Sequence, residues 1–137
     1  MIRQWQKEKR LIPICPELAG GMPVPRAPAE IINGTGQTVL SGESSITNNL
    51  VNDVTDAFVM GANKALALAL KNNCSIAILT DRSPSCGSNM IYDGSFSNTK
   101  VKGEGVTTAL LKQNKIRVFN QHQLELVEDL LLASKAL

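Results

Sequence analysis

The stretch Ala77-Ile78-Leu79-Thr80-Asp81-Arg82-Ser83-Pro84-Ser85-Cys86-Gly87-Ser88-Asn89 decides how this chain is read. It opens as the end of a buried strand, Ser75 to Thr80, and breaks into a loop of turn-forming and ligand-bearing side chains. Pro84 has no amide hydrogen and holds Ser83 in extended geometry, so Ser83-Pro84-Ser85 cannot continue a strand ladder. Asp81 and Arg82 place a charge pair where the apolar strand leaves the core. Gly87 permits a tight backbone approach beside the Cys86 thiol. Free amides around a thiolate in such a loop can form an anion-binding nest. With Arg82 or Arg26 nearby, they are expected to favour thiolate at Cys86. A surface turn with an incidental cysteine is the plainer reading of this loop alone. A second cysteine loop, Ile14-Cys15-Pro16-Glu17, argues against it.

Outward from that loop, strand patterns alternate with helix patterns. Leu11 to Cys15 reads as a short buried strand, edge-like because of Pro13. Leu18 to Pro28 holds Pro23, Pro25 and Pro28, which excludes helix and central strand, and carries Arg26. Such a stiff loop is more often functional than idle. Ile31 to Gly42 suggests a small hairpin or excursion around Thr38-Val39-Leu40. A long helix, capped at Thr47 or Asn48, is expected from Leu50 to Leu70 by its apolar spacing, with Cys74 packed at its far end. Met90 to Phe96 reads as an extended piece turning at Asp93-Gly94. Lys100 to Gly105 leads into a helix from Val106 to Asn114. A strand over Ile116 to Phe119 and a final helix over Gln123 to Lys135 complete the pattern.

This alternation predicts an α/β fold: a three-layer, Rossmann-like parallel sheet with helices on both faces, forming a single domain over residues 1–137. Ligands of such sheets bind beyond the carboxyl ends of the strands. Cys15, Cys86, Asn120 and His122 are therefore expected on one rim, and Cys74 on the other.

Composition narrows the function. The 137 residues are 43% hydrophobic, enough for a core. A net charge of +2 and 4% aromatic content give no reason to expect nucleic acid as a partner. No apolar run approaches the roughly 20 residues that span a bilayer, so no membrane partner is expected. The first ten residues are charged and lack an apolar signal core. Three widely spaced cysteines in such a chain point to the cytoplasm and to thiols or metal ligands rather than disulfides.

Several motifs recur together in one family. They are Ile14-Cys15-Pro16-Glu17, Gly20-Gly21-Met22-Pro23-Val24-Pro25-Arg26, Asp53-Val54-Thr55, Gly61-Ala62 and Ser83-Pro84-Ser85-Cys86-Gly87-Ser88. Tyr92-Asp93-Gly94-Ser95-Phe96 and Gly103-Glu104-Gly105-Val106 belong to the same set. In their order and spacing, from about Leu11 to Phe119, the chain resembles the family catalogued as domain of unknown function 523, which includes 2-thiouracil desulfurase. The resemblance implies a non-redox [4Fe-4S] cluster on three cysteines with one open iron, removing sulfur from a thiolated nucleobase. It implies Cys15 and Cys86 as two cluster ligands and Glu17 as the acid/base group. Asp81, Ser83 and Ser85 would orient substrate or hydrogen-bond to cluster sulfur, and Arg26 would bind substrate. Family members open with a strand and a Cys-Leu-Leu-Gly-like loop carrying the first ligand. Here that strand and cysteine are expected to be missing.

Two other readings compete. Cys15 and Cys86, with Glu17 or His122, could hold zinc in a small-ligand module. Alternatively, a sheet edge left exposed could pair with a second copy of the chain in a structural or oligomerisation role. Arg26 would then serve a salt bridge to Glu17 or Glu30.

Overall fold

The computed structural model describes residues 1–8, 10–80 and 83–135. It is a mixed α/β fold with a parallel strand pair and helices packed around it. The helices are α1 (Ile2–Lys7), α2 (Pro16–Ala19), α3 (Gly36–Leu40), α4 (Thr55–Lys71), α5 (Val106–Gln113) and α6 (Leu124–Lys135). The strands are β1 (Ala29–Ile32), β2 (Ser45–Asn48), β3 (Ile76–Ile78), β4 (Met90–Tyr92), β5 (Lys100–Lys102) and β6 (Arg117–Phe119).

Strands β3 and β6 run parallel, with Ile76 opposite Arg117 and Ile78 opposite Phe119. The other described strands form two antiparallel pairs, β1 with β2 and β4 with β5. One apolar cluster joins Ile31, Ile46, Ile91, Phe58 and Val106, so the two antiparallel pairs share a core with α4 and α5. A second cluster joins Trp5, Phe119 and Val127, with Ile76 and Ile78 packed against it. Trp5 of α1 is buried and anchors that helix to the cluster.

Three elements differ from the sequence reading. Leu11–Cys15 forms no strand: nothing pairs with it among the described residues, and Ile12 and Ile14 are exposed. Pro13 removes one ladder donor, and Pro16 at the first position of α2 commits the chain to a helix straight afterwards. Helix α4 begins at Thr55 rather than near Asn48, which ends β2. The Asp53 carboxylate takes the Thr55 N–H, and the Thr55 hydroxyl takes the Ile46 N–H. Leu50 and Val51 therefore stay exposed outside the helix. Thr38-Val39-Leu40 is helical because Thr35 and Thr38 cap one another reciprocally.

Beside β3 lies an apolar cleft of about 540 Å³ bordered by Ile12, Ile14, Leu68 and Leu111. No helix among the described residues is long and apolar enough to cross a membrane.

Helix α2 seats directly on α4. A Cβ on Gly61 would lie 1.9 Å from the Pro16 carbonyl oxygen, and one on Gly20 would lie 2.0 Å from that of Ala57. Both obstacles are backbone, so neither can swing aside. Gly61→Ala should therefore destabilise the fold by about 1–3 kcal/mol through overpacking, although alanine is the better helix former by about 1 kcal/mol. Urea unfolding measures this. A stability equal to or above the parent would show that α2 does not rest on α4.

Candidate functional site

The helix seat fixes Cys15, which stands at the N-cap of α2 with Glu17 in its first turn. Arg26, from the proline-rich loop, forms an ion pair through Nε with the Glu17 carboxylate. Its Nη1 donates to the Pro23 carbonyl at 3.2 Å, and its Nη2 lies 3.9 Å from the Cys15 sulfur. Both partners of the ion pair are only partly exposed, so the pair closes one side of the site.

The Cys86 loop is held from the opposite direction by α5. The Pro84 carbonyl accepts the Val106 N–H at 2.7 Å, and the Ser85 carbonyl accepts those of Thr107 and Thr108 at 2.8 and 3.3 Å. These are the orphan donors of a helix N-terminus, which lacks a side-chain cap here because Gly105 occupies that position. The Ser85 hydroxyl is buried against the Thr107 hydroxyl at 2.7 Å, and the Thr108 hydroxyl donates to the Cys86 carbonyl. A Cβ on Gly105 would lie 2.5 Å from the Ser85 backbone, so glycine is what lets the loop and the helix touch.

The expected nest of free amides is absent at two of its positions. The Cys86 N–H donates to the Ser83 hydroxyl at 2.6 Å, and the Gly87 N–H donates to the Ser83 carbonyl at 3.0 Å. Both donors are consumed within the loop and cannot steady a charge on sulfur. Burial pushes the Cys86 thiol up to about 11; the Ser85 and Ser83 hydroxyls offset part of this, and negative charge on Glu17 and Cys15 adds to it. The expected thiolate is thus replaced, in the metal-free site, by a protonated thiol.

Cys15, Glu17 and Cys86 are electrostatic neighbours. Beside Glu17 opens a cavity of about 910 Å³, lined by Glu17, Arg26 and Ser83 together with Tyr92, Phe96 and Asn98. Cys74 lies elsewhere, in the cleft beside β3, with its N–H bonded to the Ala69 carbonyl. His122 is exposed ahead of α6, its N–H held by the Asn120 side chain, and neither residue lines the cavity. Asp81 lies outside the described residues, as does Arg82.

Sequence reasoning overlooked Tyr92 and Phe96 as cavity residues, and it considered Glu30, which also lines the cavity and is buried, only as a partner for Arg26. The signal available was the Tyr92-Asp93-Gly94-Ser95-Phe96 run itself, a turn with aromatic residues at both ends.

Among the described residues, no three His, Cys, Asp or Glu side chains converge as a metal site. Two thiols alone do not complete the three-cysteine set that the resemblance implies. They do not complete the zinc alternative either, since Glu17 is engaged with Arg26 and His122 is elsewhere.

The fold and site together define an α/β protein with a convergent pair of cysteine loops beside an open, partly aromatic cavity. The chain belongs to the 2-thiouracil desulfurase family, whose profile matches residues 1–123. It is 50% identical over 123 residues to the uncharacterized protein YbbK of Bacillus subtilis (strain 168), covering 90% of this chain and 82% of that protein. Among solved structures it resembles the [4Fe-4S]-dependent thiouracil desulfidase TudS, with a TM-score of 0.83 and 39% identity. That likeness covers 99% of this chain and 82% of the other.

A thiol raised to about 11 is almost wholly protonated at neutral pH, and its thiolate fraction grows tenfold with each pH unit up to that value. In the metal-free protein, alkylation of Cys86 by iodoacetamide at pH 7.5 should run roughly tenfold to a hundredfold below an unperturbed thiol, because the thiolate is scarcer though somewhat more nucleophilic. Its rate should still be climbing beyond pH 9, and Cys86 should be the last of the three cysteines labelled. Glu17→Gln removes a charge that raises the thiol, so it should speed the neutral-pH reaction. Peptide mapping that finds Cys86 labelled first would contradict this account.

Proposed function

We propose that the chain is a desulfurase-type protein that replaces the sulfur of a thiocarbonyl heterocycle, such as 2-thiouracil, with oxygen from water. The observation that carries this is the Glu17–Arg26 pair in the wall of a cavity of about 910 Å³, with Arg26 Nη2 3.9 Å from the Cys15 sulfur and Cys86 within electrostatic reach of both Glu17 and Cys15. Family membership and the likeness to TudS support the same reading.

The reaction is redox-neutral: a C=S carbon gains the oxygen of water, and sulfur leaves as hydrosulfide. It needs a base for the water, a polar hold on the heterocycle and a soft environment for the departing sulfur. In this reading Glu17 takes the proton from water. Arg26, fixed by Glu17 and the Pro23 carbonyl, offers its remaining N–H groups to the substrate. The two sulfurs form the soft end of the site. A [4Fe-4S] cluster, when bound, would supply Lewis-acid polarisation of the thiocarbonyl. Cys15 and Cys86 are the residues here that would hold it, and a further thiolate donor is required to complete the set.

The test is anaerobic reconstitution with iron and sulfide, with 2-mercaptoethanol present as an added thiolate donor. Iron content and sulfide release from 2-thiouracil are the measurements. Cys15→Ser and Cys86→Ser should each lose both, whereas Cys74→Ser should keep both. Glu17→Gln should keep its iron and lose about a hundredfold in sulfide release. Omitting the small thiol should lower the bound iron. Sulfide release that survives Cys86→Ser would overturn the proposal.

A further inference from the structure

The chemistry above leaves one buried acid unused. Glu30, on β1, is nearly inaccessible to solvent, and its Oε1 accepts the Gly94 N–H at 2.9 Å and the Phe96 N–H at 3.2 Å. Gly94 docks the same loop onto β1: its φ is +92°, and a Cβ there would lie 2.5 Å from the Ile31 carbonyl oxygen. The Asp93 carboxylate closes the loop from within by accepting the Ser95 N–H and hydroxyl. So anchored, Phe96 is held at a φ of 57°, in the left-handed region that bulky residues avoid.

That conformation does not serve the core. Phe96 is 38% exposed and borders the 910 Å³ cavity together with Tyr92, Glu17 and Arg26. Backbone strain that is held in place by a buried carboxylate and delivers an exposed ring to a ligand-sized cavity points to recognition of a ligand. The asparagine side chains of Asn49 and Asn98 border the same space and offer both donors and acceptors.

We propose that Phe96 is the stacking face for the flat heterocyclic ring of the substrate, and that Glu30 is the positioning residue that holds it there. Stacking selects any planar ring, while polar groups at the cavity wall read its edge. The assignment rests on the desulfurase reading only for which heterocycle is used as the probe.

Binding is measured by calorimetry on the protein without metal, using uracil and 5,6-dihydrouracil. The two share their amide edge, but the second has a puckered, saturated ring. Phe96→Leu should weaken uracil about tenfold and leave dihydrouracil unchanged, and Phe96→Tyr should retain uracil binding. Glu30→Gln should weaken uracil to a similar degree. The double variant should be no weaker than Phe96→Leu alone, because Glu30 acts through the ring; a merely structural carboxylate would give additive losses. The proposal is overturned by unchanged uracil binding in Phe96→Leu, by equal loss of both ligands, by additive losses, or by a folded parent that binds no uracil. Phe96-dependent uracil binding without sulfide release from 2-thiouracil would reject the desulfurase reading and leave the stacking assignment supported.

Discussion

The first turn of α5 draws its hydrogen-bond acceptors from the loop that carries Cys86, and much of the site follows from that exchange. A helix N-terminus leaves amide donors without intrahelical partners, and leaving such groups buried and unpaired is costly. Here Pro84 and Ser85 supply the carbonyls, and Gly105 removes the side chain that would keep them apart. The same bonds that satisfy the helix therefore hold the thiol loop. The Ser85–Thr107 hydroxyl contact is the buried rivet of this joint, which explains why a serine beside the cysteine is almost wholly inaccessible.

The division between what the sequence discloses and what it hides has the same origin. Val106–Gln113 and Leu124–Lys135 are legible because their apolar residues recur at helical spacing, and the parallel β3–β6 pair follows from the strand–helix alternation around them. Leu11–Cys15 misleads because an apolar run records a tendency to be covered, not the presence of a partner strand. The start of α4 misleads because Asn48 has the chemistry of a cap, and only the Asp53–Thr55–Ile46 contacts reveal the true one. At the site, Cys15, Cys86, Glu17 and Arg26 could be singled out as residue types, but the fate of the loop amides could not. Whether the Cys86 N–H faces a ligand or the Ser83 hydroxyl depends on a turn that composition does not specify. Glu30 could be named as a possible ion-pair partner of Arg26, but its actual partners are backbone amides more than sixty positions away, which no local pattern signals.

The cavity joins two surfaces of unlike character. Its lining includes a carboxylate and a guanidinium whose charges neutralise each other, near two thiols of which Cys86 is protonated by its own burial. It also includes the aromatic residues Tyr92 and Phe96 and the amide Asn98, from the segment pinned to β1 through Glu30. Polar chemistry at a bond and recognition of a ring make different demands, the first for fixed charge and the second for a flat apolar face. Placing them on separate elements lets each be held by its own anchor. Glu17–Arg26 depends on the α2 seat, and Phe96 depends on Glu30 and Gly94.

The spacing of the two thiols is therefore a property of the helices more than of the sheet. Cys15 is referenced to α4 through the glycine contacts beneath α2, and Cys86 is referenced to α5 through the shared carbonyls. Helices α4 and α5 pack against each other, so the distance between the cysteine loops is carried by one helix–helix interface. Close-packed interfaces resist small displacements, because each lost contact has no compensating partner. The cleft beside β3 borders the same two helices at Leu68 and Leu111, together with the unpaired Leu11–Ile14 segment. The load path between the two cysteine loops therefore runs from α2 to α4 to α5 and then into the Cys86 loop.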